Sequence, residues 1–132
     1  MRHTVSPIVG RLTIPLGNRM IFSPAETPET WRHEFPFELA LRPSQLRATL
    51  ADTAMMVPSA ANLEGQYKNL HLPLVLIAGD GDKLVSTQYQ TKQLGGMLPE
   101  AHVVVLPGVG HMVQHSAPDA FADAVEHAAA LI

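Results

Sequence analysis

The sequence predicts an α/β fold in which two parallel strands and their flanking helices occupy the second half of the chain. Two apolar runs, at residues 74–78 and 102–106, are each followed by a Gly-containing turn and then by a helix-like segment. Short connections in the order strand–helix–strand–helix imply a parallel pair joined by a right-handed crossover. We therefore place a βαβα unit at residues 70–132 and a separate, mostly helical segment at residues 1–69.

Local sequence supports each element of the βαβα unit. Residues 74–78 are continuously apolar, which is typical of a strand that is buried on both faces. Residues 86–98 are expected to form the crossover helix, and the β-branched residues 102–106 the second strand. Residues 118–131 carry apolar side chains at helical spacing and are expected to form the final helix.

Prolines divide the first 69 residues and limit the helices expected there. Those before residue 40 are Pro7, Pro15, Pro24, Pro28 and Pro36. Because proline lacks the N–H that an interior helical residue donates, we expect no long helix in this stretch. Short helices fit residues 7–11 and 28–33.

A stronger helix signal begins at residues 42–44, where Ser44 is a candidate N-cap. Apolar residues then recur at every fourth position, which is a helical spacing. We expect Pro58 to end this helix and Ser59 to cap a second helix that runs towards Tyr67.

Composition narrows the classes of function. The 132 residues fit one domain, and 46% of them are hydrophobic, which is within the globular range. The formal net charge of −3 and the lack of a basic block argue against a nucleic-acid partner. The absence of cysteine removes disulfides, thiol nucleophiles and thiolate metal sites. No apolar run approaches the ~18 residues of a membrane span, and no signal-peptide pattern opens the chain, so we expect a cytoplasmic protein without membrane contact.

Two polar side chains follow the two predicted strands at equivalent positions. Asp82 lies in the turn after the first strand, and His111 lies in the turn after the second. Because parallel strands lie about 4.8 Å apart and share one carboxyl edge, we expect these side chains to come within hydrogen-bond reach. An aspartate placed in this way fixes the tautomer of the imidazole, which then acts as a general base and later as a general acid.

Simpler roles compete with this interpretation. His111 also fits an ordinary turn histidine, although Gly108 and Gly110 beside it allow positive φ or a close backbone approach. Asp80 is a second candidate acid, and its competing role is to cap the turn through a local side-chain hydrogen bond. His111 and His115 have the i, i+4 spacing of some zinc ligands, but no glutamate follows His111, so we expect no metal.

Residues 73–85 and 107–111 resemble the C-terminal portion of an α/β-hydrolase. They carry a G-x-x-D turn that ends in Asp82 and a G-x-x-H turn that ends in His111, in that order and with a helix between them. The helix start at residues 118–121 fits the same family. The resemblance implies the last two strands of the hydrolase sheet, with Asp82 as the acid and His111 as the base of a Ser–Asp–His triad.

The resemblance is looser before residue 70, where residues 40–48 are similar to the lid that many family members carry before the acid strand. It implies a helical lid or cap at residues 1–69 and the C-terminal part of the hydrolase core at residues 70–132. The family's nucleophile stands on a G-x-S-x-G elbow, and neither that motif nor the early H-G motif of the oxyanion hole occurs in the sequence. The serines, none of which has the strand–turn–helix context of the elbow, are Ser6, Ser23, Ser44, Ser59, Ser86 and Ser116.

Several apolar side chains are weaker candidates for a substrate pocket. Met55, Met56 and Met112 fit either a pocket lining or ordinary core filling, because methionine adapts to irregular space. Aromatic side chains before residue 40 are expected to pack beneath the proline-rich lid rather than to cap a cavity. These aromatic residues are Trp31, Phe35 and Phe37.

We consider two hypotheses of different classes. In the first, the chain is the C-terminal portion of a serine-type hydrolase that cleaves a small, largely apolar ester and uses no cofactor. It is then inactive alone, and the rest of the enzyme is absent, encoded separately or lost. In the second, the chain is a non-catalytic association module. The open edge of the strand at residues 74–78 then invites self-association, domain swapping or docking to an N-terminal half-enzyme.

Overall fold

The computed structural model describes residues 5–132 of the chain, and its side chains from residue 8 onward. The predicted α/β class is confirmed, because a two-stranded parallel sheet is flanked by helices and preceded by a helical segment. The elements are α1 (Val5–Phe22), α2 (Glu29–Glu34), α3 (Phe37–Ala40), α4 (Pro43–Glu64), β1 (Leu74–Gly79), α5 (Gln93–Met97), β2 (Ala101–Leu106), α6 (Val113–Ser116) and α7 (Pro118–Ala130). A 3₁₀ turn (Tyr67–Asn69) precedes β1, and a π-helical turn (Gln88–Lys92) leads into α5. Residues 1–4, where the sequence lacks a signal-peptide pattern, lie outside the described residues.

The sheet brings the ends of its two strands to one edge. β1 and β2 pair in parallel, in a register that runs from Leu74 opposite Ala101 to Gly79 opposite Leu106. Both strands agree with their sequence predictions to within one residue. The predicted crossover helix is also present, as the π-helical turn and α5, and α7 packs against β1. The turns that follow the two strands therefore lie side by side.

Two long helices correct the predictions for the first part of the chain. α1 continues through Pro15 and includes the short helix predicted at residues 7–11, whereas α4 continues through Pro58. Each proline removes one N–H donor, which leaves the carbonyl four residues earlier without its helical partner. Both prolines are exposed, so water can hydrate that carbonyl while the helix continues. The short helix predicted at residues 28–33 is confirmed as α2.

The start of α4 corrects the predicted N-caps. The helix begins at Pro43, with Arg42 at the N-cap position and no side-chain hydrogen bond to cap it. Proline suits the first helical position because its φ is already helical and that residue's N–H has no partner in the helix. Ser44 therefore lies in the first turn and Ser59 in the helix interior, so neither is an N-cap. No separate helix follows, since the chain reaches Tyr67–Asn69 as a 3₁₀ turn.

The buried core is small for a chain of this length. Among the described residues, the buried hydrophobic side chains are those of Phe22, Leu98, Val113 and Ala124. β1 is half-buried along most of its length and is not covered on both faces as predicted. Because the described sheet has two strands, each strand keeps one outer edge without a strand neighbour. Across the described residues, every helix is too short or too polar to cross a membrane.

Candidate active site

The turns that carry Asp82 and His111 meet at the carboxyl edge of the sheet. Asp82 lies just beyond the end of β1, and His111 lies just beyond the end of β2. The imidazole Nδ1 of His111 lies 2.8 Å from Oδ2 of Asp82. The structure thus brings together the two side chains that the sequence places at equivalent positions after adjacent strands.

The Asp82 carboxylate is held by hydrogen bonds on both oxygens. Its Oδ1 accepts hydrogen bonds from the backbone amides of Leu84 at 2.8 Å and Val85 at 2.9 Å, and its side chain is only 9% exposed. Burial alone raises the pKa of Asp82, but the hydrogen bonds from Val85, His111 and Leu84 outweigh burial and lower the pKa below its ordinary value of 3.8. The carboxyl group is therefore ionised at neutral pH.

The ionised carboxylate determines which nitrogen of His111 carries the proton. A carboxylate only accepts hydrogen bonds, so the 2.8 Å contact requires the proton on Nδ1. In the neutral imidazole this leaves the lone pair of Nε2 free to accept a proton. The His111 side chain is 36% exposed, so its ring remains accessible from outside. The pair is thus arranged as an oriented general base.

The end of α1 holds the backbone of the His111 turn. The carbonyl of Ile21 accepts hydrogen bonds from the amides of His111 at 2.9 Å and Met112 at 3.3 Å. Sequence reasoning missed this contact, because it predicted no long helix here and a backbone carbonyl leaves no side-chain signal. The end of α1 and the turn after β1 therefore both position the imidazole.

Two glycines make this arrangement possible. Gly108 has φ of +70°, a left-handed conformation that side-chain-bearing residues rarely adopt. A Cβ on Gly110 would lie 2.5 Å from the Ser23 carbonyl oxygen and 2.7 Å from that of Phe22. Both contacts are with backbone, which cannot rotate away as a side chain can. The close approach of α1 to the His111 turn therefore requires glycine at this position.

Further hydrogen bonds tie the two turns and the crossover together. Asp80 Oδ1 accepts a hydrogen bond of 2.7 Å from the Gly108 amide in the neighbouring turn. The hydrogen bond of Asp80 thus reaches the neighbouring turn, whereas the simpler role considered for it was a bond within its own turn, because adjacent parallel strands place a distant amide within its reach. The buried Thr87 hydroxyl donates to the Gly79 carbonyl at 2.6 Å, a contact that the sequence did not indicate.

The methionines suggested for a substrate pocket lie on different elements, Met55 and Met56 on α4 and Met112 at the start of α6. Met55 and Met56 lie on α4 with 61% and 64% of their surfaces exposed. Met112 is half-buried and follows His111 in the chain. Its sulfur lies 3.9 Å from the side-chain nitrogen Nε2 of Gln114. Their role in substrate binding stays a prediction.

The aromatic side chains before residue 40 pack against one another. The ring of Trp31 stacks on that of Phe35, with centroids 4.2 Å apart, and lies edge-on to the fully buried Phe22 at 5.3 Å. Phe37 continues the cluster at 4.7 Å from Phe35. The His115 ring lies 4.8 Å from that of Trp31 and belongs to this cluster. Among the described residues, no three histidine, aspartate or glutamate side chains converge as a metal site.

The described residues do not supply a nucleophile to this pair. Among the described side chains, which exclude that of Ser6, the imidazole of His111 bonds to Asp82 and to no serine hydroxyl. The described residues therefore show an oriented imidazole with no hydroxyl bonded to it.

Comparison with known proteins identifies similar chains. A family model described as "Alpha/beta hydrolase family" matches residues 4–124. The 2-(acetamidomethylene)succinate hydrolase of Mesorhizobium japonicum (strain LMG 29417 / CECT 9101 / MAFF 303099) is 32% identical over 84 residues. That match covers 64% of this chain and 29% of the relative, so the chain spans less than a third of the relative's length.

Proposed function

The chain belongs to the alpha/beta hydrolase family, and we propose that Asp82 and His111 are the acid and the base of a Ser–His–Asp triad. The 2.8 Å contact between Nδ1 and the buried, ionised carboxylate carries this proposal. The serine is proposed to lie outside these 132 residues, because G-x-S-x-G does not occur among them.

In the proposed reaction, Nε2 of His111 takes the hydroxyl proton as the serine attacks an acyl carbonyl. The same nitrogen then returns that proton to the leaving group, and a water molecule repeats the sequence to release the acid. Asp82 stays ionised throughout and stabilises the imidazolium. Its lowered pKa supports this role, because a protonated carboxyl would lose the charge that holds the imidazolium.

The proposed substrate is a small ester or related acyl compound. The relative from Mesorhizobium japonicum is named for hydrolysis of 2-(acetamidomethylene)succinate, which is a compound of this kind. Because the chain spans only 29% of that relative, the proposed substrate class rests on the acid–base pair, which serves acyl transfer to a serine, and not on the relative's name.

The first test uses the chain alone with a chromogenic short-chain ester and a fluorophosphonate probe. We expect neither turnover nor covalent labelling of serine, since no described serine is bonded to the base. Labelling and turnover that His111→Ala abolishes would refute the proposal that the nucleophile lies elsewhere.

The second test supplies the nucleophile. The chain is co-expressed with a segment that carries G-x-S-x-G from another member of the family, and esterase activity is measured in the purified complex. Activity should be recovered, lost in His111→Ala and kept in His71→Ala, which changes an exposed histidine before β1. Recovered activity that survives His111→Ala would refute the assigned base.

A second candidate function is association with another polypeptide. The chain exposes 9580 Å² of accessible surface, whereas a compact monomer of this size exposes about 6,800 Å². The excess is larger than the ~1,600 Å² buried in a protein–protein interface of standard size. Large apolar side chains contribute to it, among them Leu12 at 77% exposure on α1 and Leu50 at 71% on α4.

Light scattering tests the association function directly. We propose that the chain forms a homo-oligomer until a hydrolase segment takes the place of the second copy. The double substitution Leu12→Gln and Leu50→Gln should then shift the equilibrium from oligomer to monomer. Both side chains are largely exposed, so the substitutions should leave the fold intact. A stable monomer of the unchanged chain at micromolar concentration would contradict this function.

A further inference from the structure

An open cavity of about 740 Å³ adjoins the turns that carry Asp82 and His111. Ser23 and Pro24, which line the cavity, also pack against those turns. The Ser23 carbonyl touches Gly110, and the Pro24 ring lies against Gly81 so closely that a Cβ there would be 2.2 Å from Cδ. Lys83, the residue after Asp82, also lines the cavity. Asp82 and His111 do not themselves line the cavity, but residues of its wall contact both of their turns, so a molecule in the cavity lies next to those turns.

The charge of the cavity is opposite to that of the whole chain. The chain has a formal net charge of −3, whereas the cavity is lined by Arg19, Arg32 and Lys83 against a single carboxylate, Glu26. Among the described residues, none of these three cations forms an ion pair. The excess of two positive charges is therefore available to a ligand.

Arg32 is already held in place before any ligand binds. Its Nε and Nη2 both donate to the carbonyl oxygen of Thr27, at 3.1 and 2.8 Å, and Thr27 itself lines the cavity. These bonds fix the plane of the guanidinium and leave Nη1 and one further N–H for other acceptors. Fixing the side chain in advance reduces the entropy lost on binding.

The composition of the lining favours a carboxylate over a phosphate. Phosphate sites are commonly built from backbone amides at the start of a helix or in a glycine-rich loop. The lining of this cavity contains no glycine, and its cations are all side chains. A planar guanidinium can make two parallel hydrogen bonds with a carboxylate or a phosphate, so the preference rests on the lack of a glycine-rich cradle of backbone amides.

We propose that this cavity binds a carboxylate group of the molecule that the Asp82–His111 pair acts on. The link to catalysis rests on the proposed hydrolase function, whereas the binding of a carboxylate does not. A substrate with a carboxylate differs from the largely apolar substrate predicted from the sequence, where only methionine and aromatic side chains indicated a pocket.

The test follows binding of succinate to the full chain by two-dimensional amide NMR, with neutral succinamide and inorganic phosphate as comparison ligands. Succinate should give saturable shifts concentrated at residues 19–32 and Lys83, with a Kd of about 1 mM. Addition of salt should weaken the binding, because the cations are exposed. Succinamide or phosphate binding as tightly as succinate would overturn the assignment, as would the absence of saturable shifts.

Substitutions locate the site. Arg19→Gln, Arg32→Gln and Lys83→Gln should each raise the Kd for succinate by about tenfold, since each removes a charged hydrogen-bond donor. Arg47→Gln is the matched control, because it removes an exposed arginine of α4 that does not line the cavity. Equal weakening by the control would refute the site. The comparison of succinate with succinamide uses the unchanged chain, so it decides the matter even where a variant folds poorly.

Binding and catalysis fail separately in this design. Succinate binding needs no nucleophile, so binding without recoverable esterase activity would refute the triad and keep the cavity assignment. Succinate binding that does not inhibit esterase activity of the reconstituted complex would refute the link between the cavity and the acid–base pair and keep the triad.

Discussion

Replacement of Asp82 by asparagine should move the proton of neutral His111 from Nδ1 to Nε2. The asparagine side chain has one oxygen and one NH₂ group where the carboxylate has two oxygens. If the oxygen keeps the hydrogen bonds from Leu84 and Val85, the NH₂ group faces Nδ1, which must then act as an acceptor. The lone pair needed for a general base is lost from Nε2.

The structure sets the size of this preference. The opposite orientation of the amide keeps one hydrogen bond, to His111, and loses the two from the backbone. The first orientation makes three hydrogen bonds and the opposite one makes one, so at about 1 kcal/mol for each hydrogen bond the first is favoured by about 2 kcal/mol before the repulsion between NH₂ and the backbone amides is added. Because about 1.4 kcal/mol corresponds to a factor of ten, we expect the Nε2–H form to exceed the Nδ1–H form by roughly thirty to one.

Nitrogen NMR of the imidazole measures this ratio in the chain as it stands, at an alkaline pH at which the spectrum no longer changes with pH. Asp80→Asn is the control, because an asparagine oxygen can still accept the Gly108 amide and Asp80 does not contact the imidazole. Retention of the proton on Nδ1 in Asp82→Asn would show that the carboxylate does not set the tautomer. A tautomer change in Asp80→Asn would show that the effect is not specific to the pair.

Three further predictions concern stability, which is measured by urea unfolding. Gly110→Ala should lower the free energy of unfolding by about 1–3 kcal/mol, because its Cβ would clash with backbone atoms. Gly96→Ala is the control and should not destabilise, since nothing lies within 4 Å of its Cβ. Equal effects of the two substitutions would contradict the close approach of α1 to Gly110. Phe22→Ala should cost about 3–5 kcal/mol because the ring is fully buried, and a loss as small as that of the exposed Phe121→Ala would refute its core role. Because the pKa of Asp82 is lower in the fold than 3.8, its ionised form stabilises the chain above about pH 4, and that stability is lost as the pH falls through the lowered pKa. Asp82→Asn should therefore flatten the acid limb of the stability profile, and an unchanged limb would contradict the pKa shift.

The strands and the acid–base pair are predictable because their signals are local. Residues 74–78 and 102–106 are apolar runs that end at glycine turns, and their parallel pairing brings Asp82 to His111. The long helix α1 is not predictable in this way, since Pro15 argues locally against it. Its role at the site is harder still to infer, because packing over the whole chain decides where a helix ends.

The hydrogen bonds from His111 and Met112 to the Ile21 carbonyl limit how this chain can be divided. A cut near residue 70 separates two sequence patterns, but it also removes the acceptor of both amides and the Phe22 ring from the fold. The segments before and after residue 70 are thus not independent of each other, although their sequence patterns differ. Replacing the first segment with that of a relative should succeed only where the new segment has a helix that ends with a carbonyl placed to accept the amides of His111 and Met112. Changes in the first segment, whether by engineering or by evolution, therefore also affect how His111 is positioned.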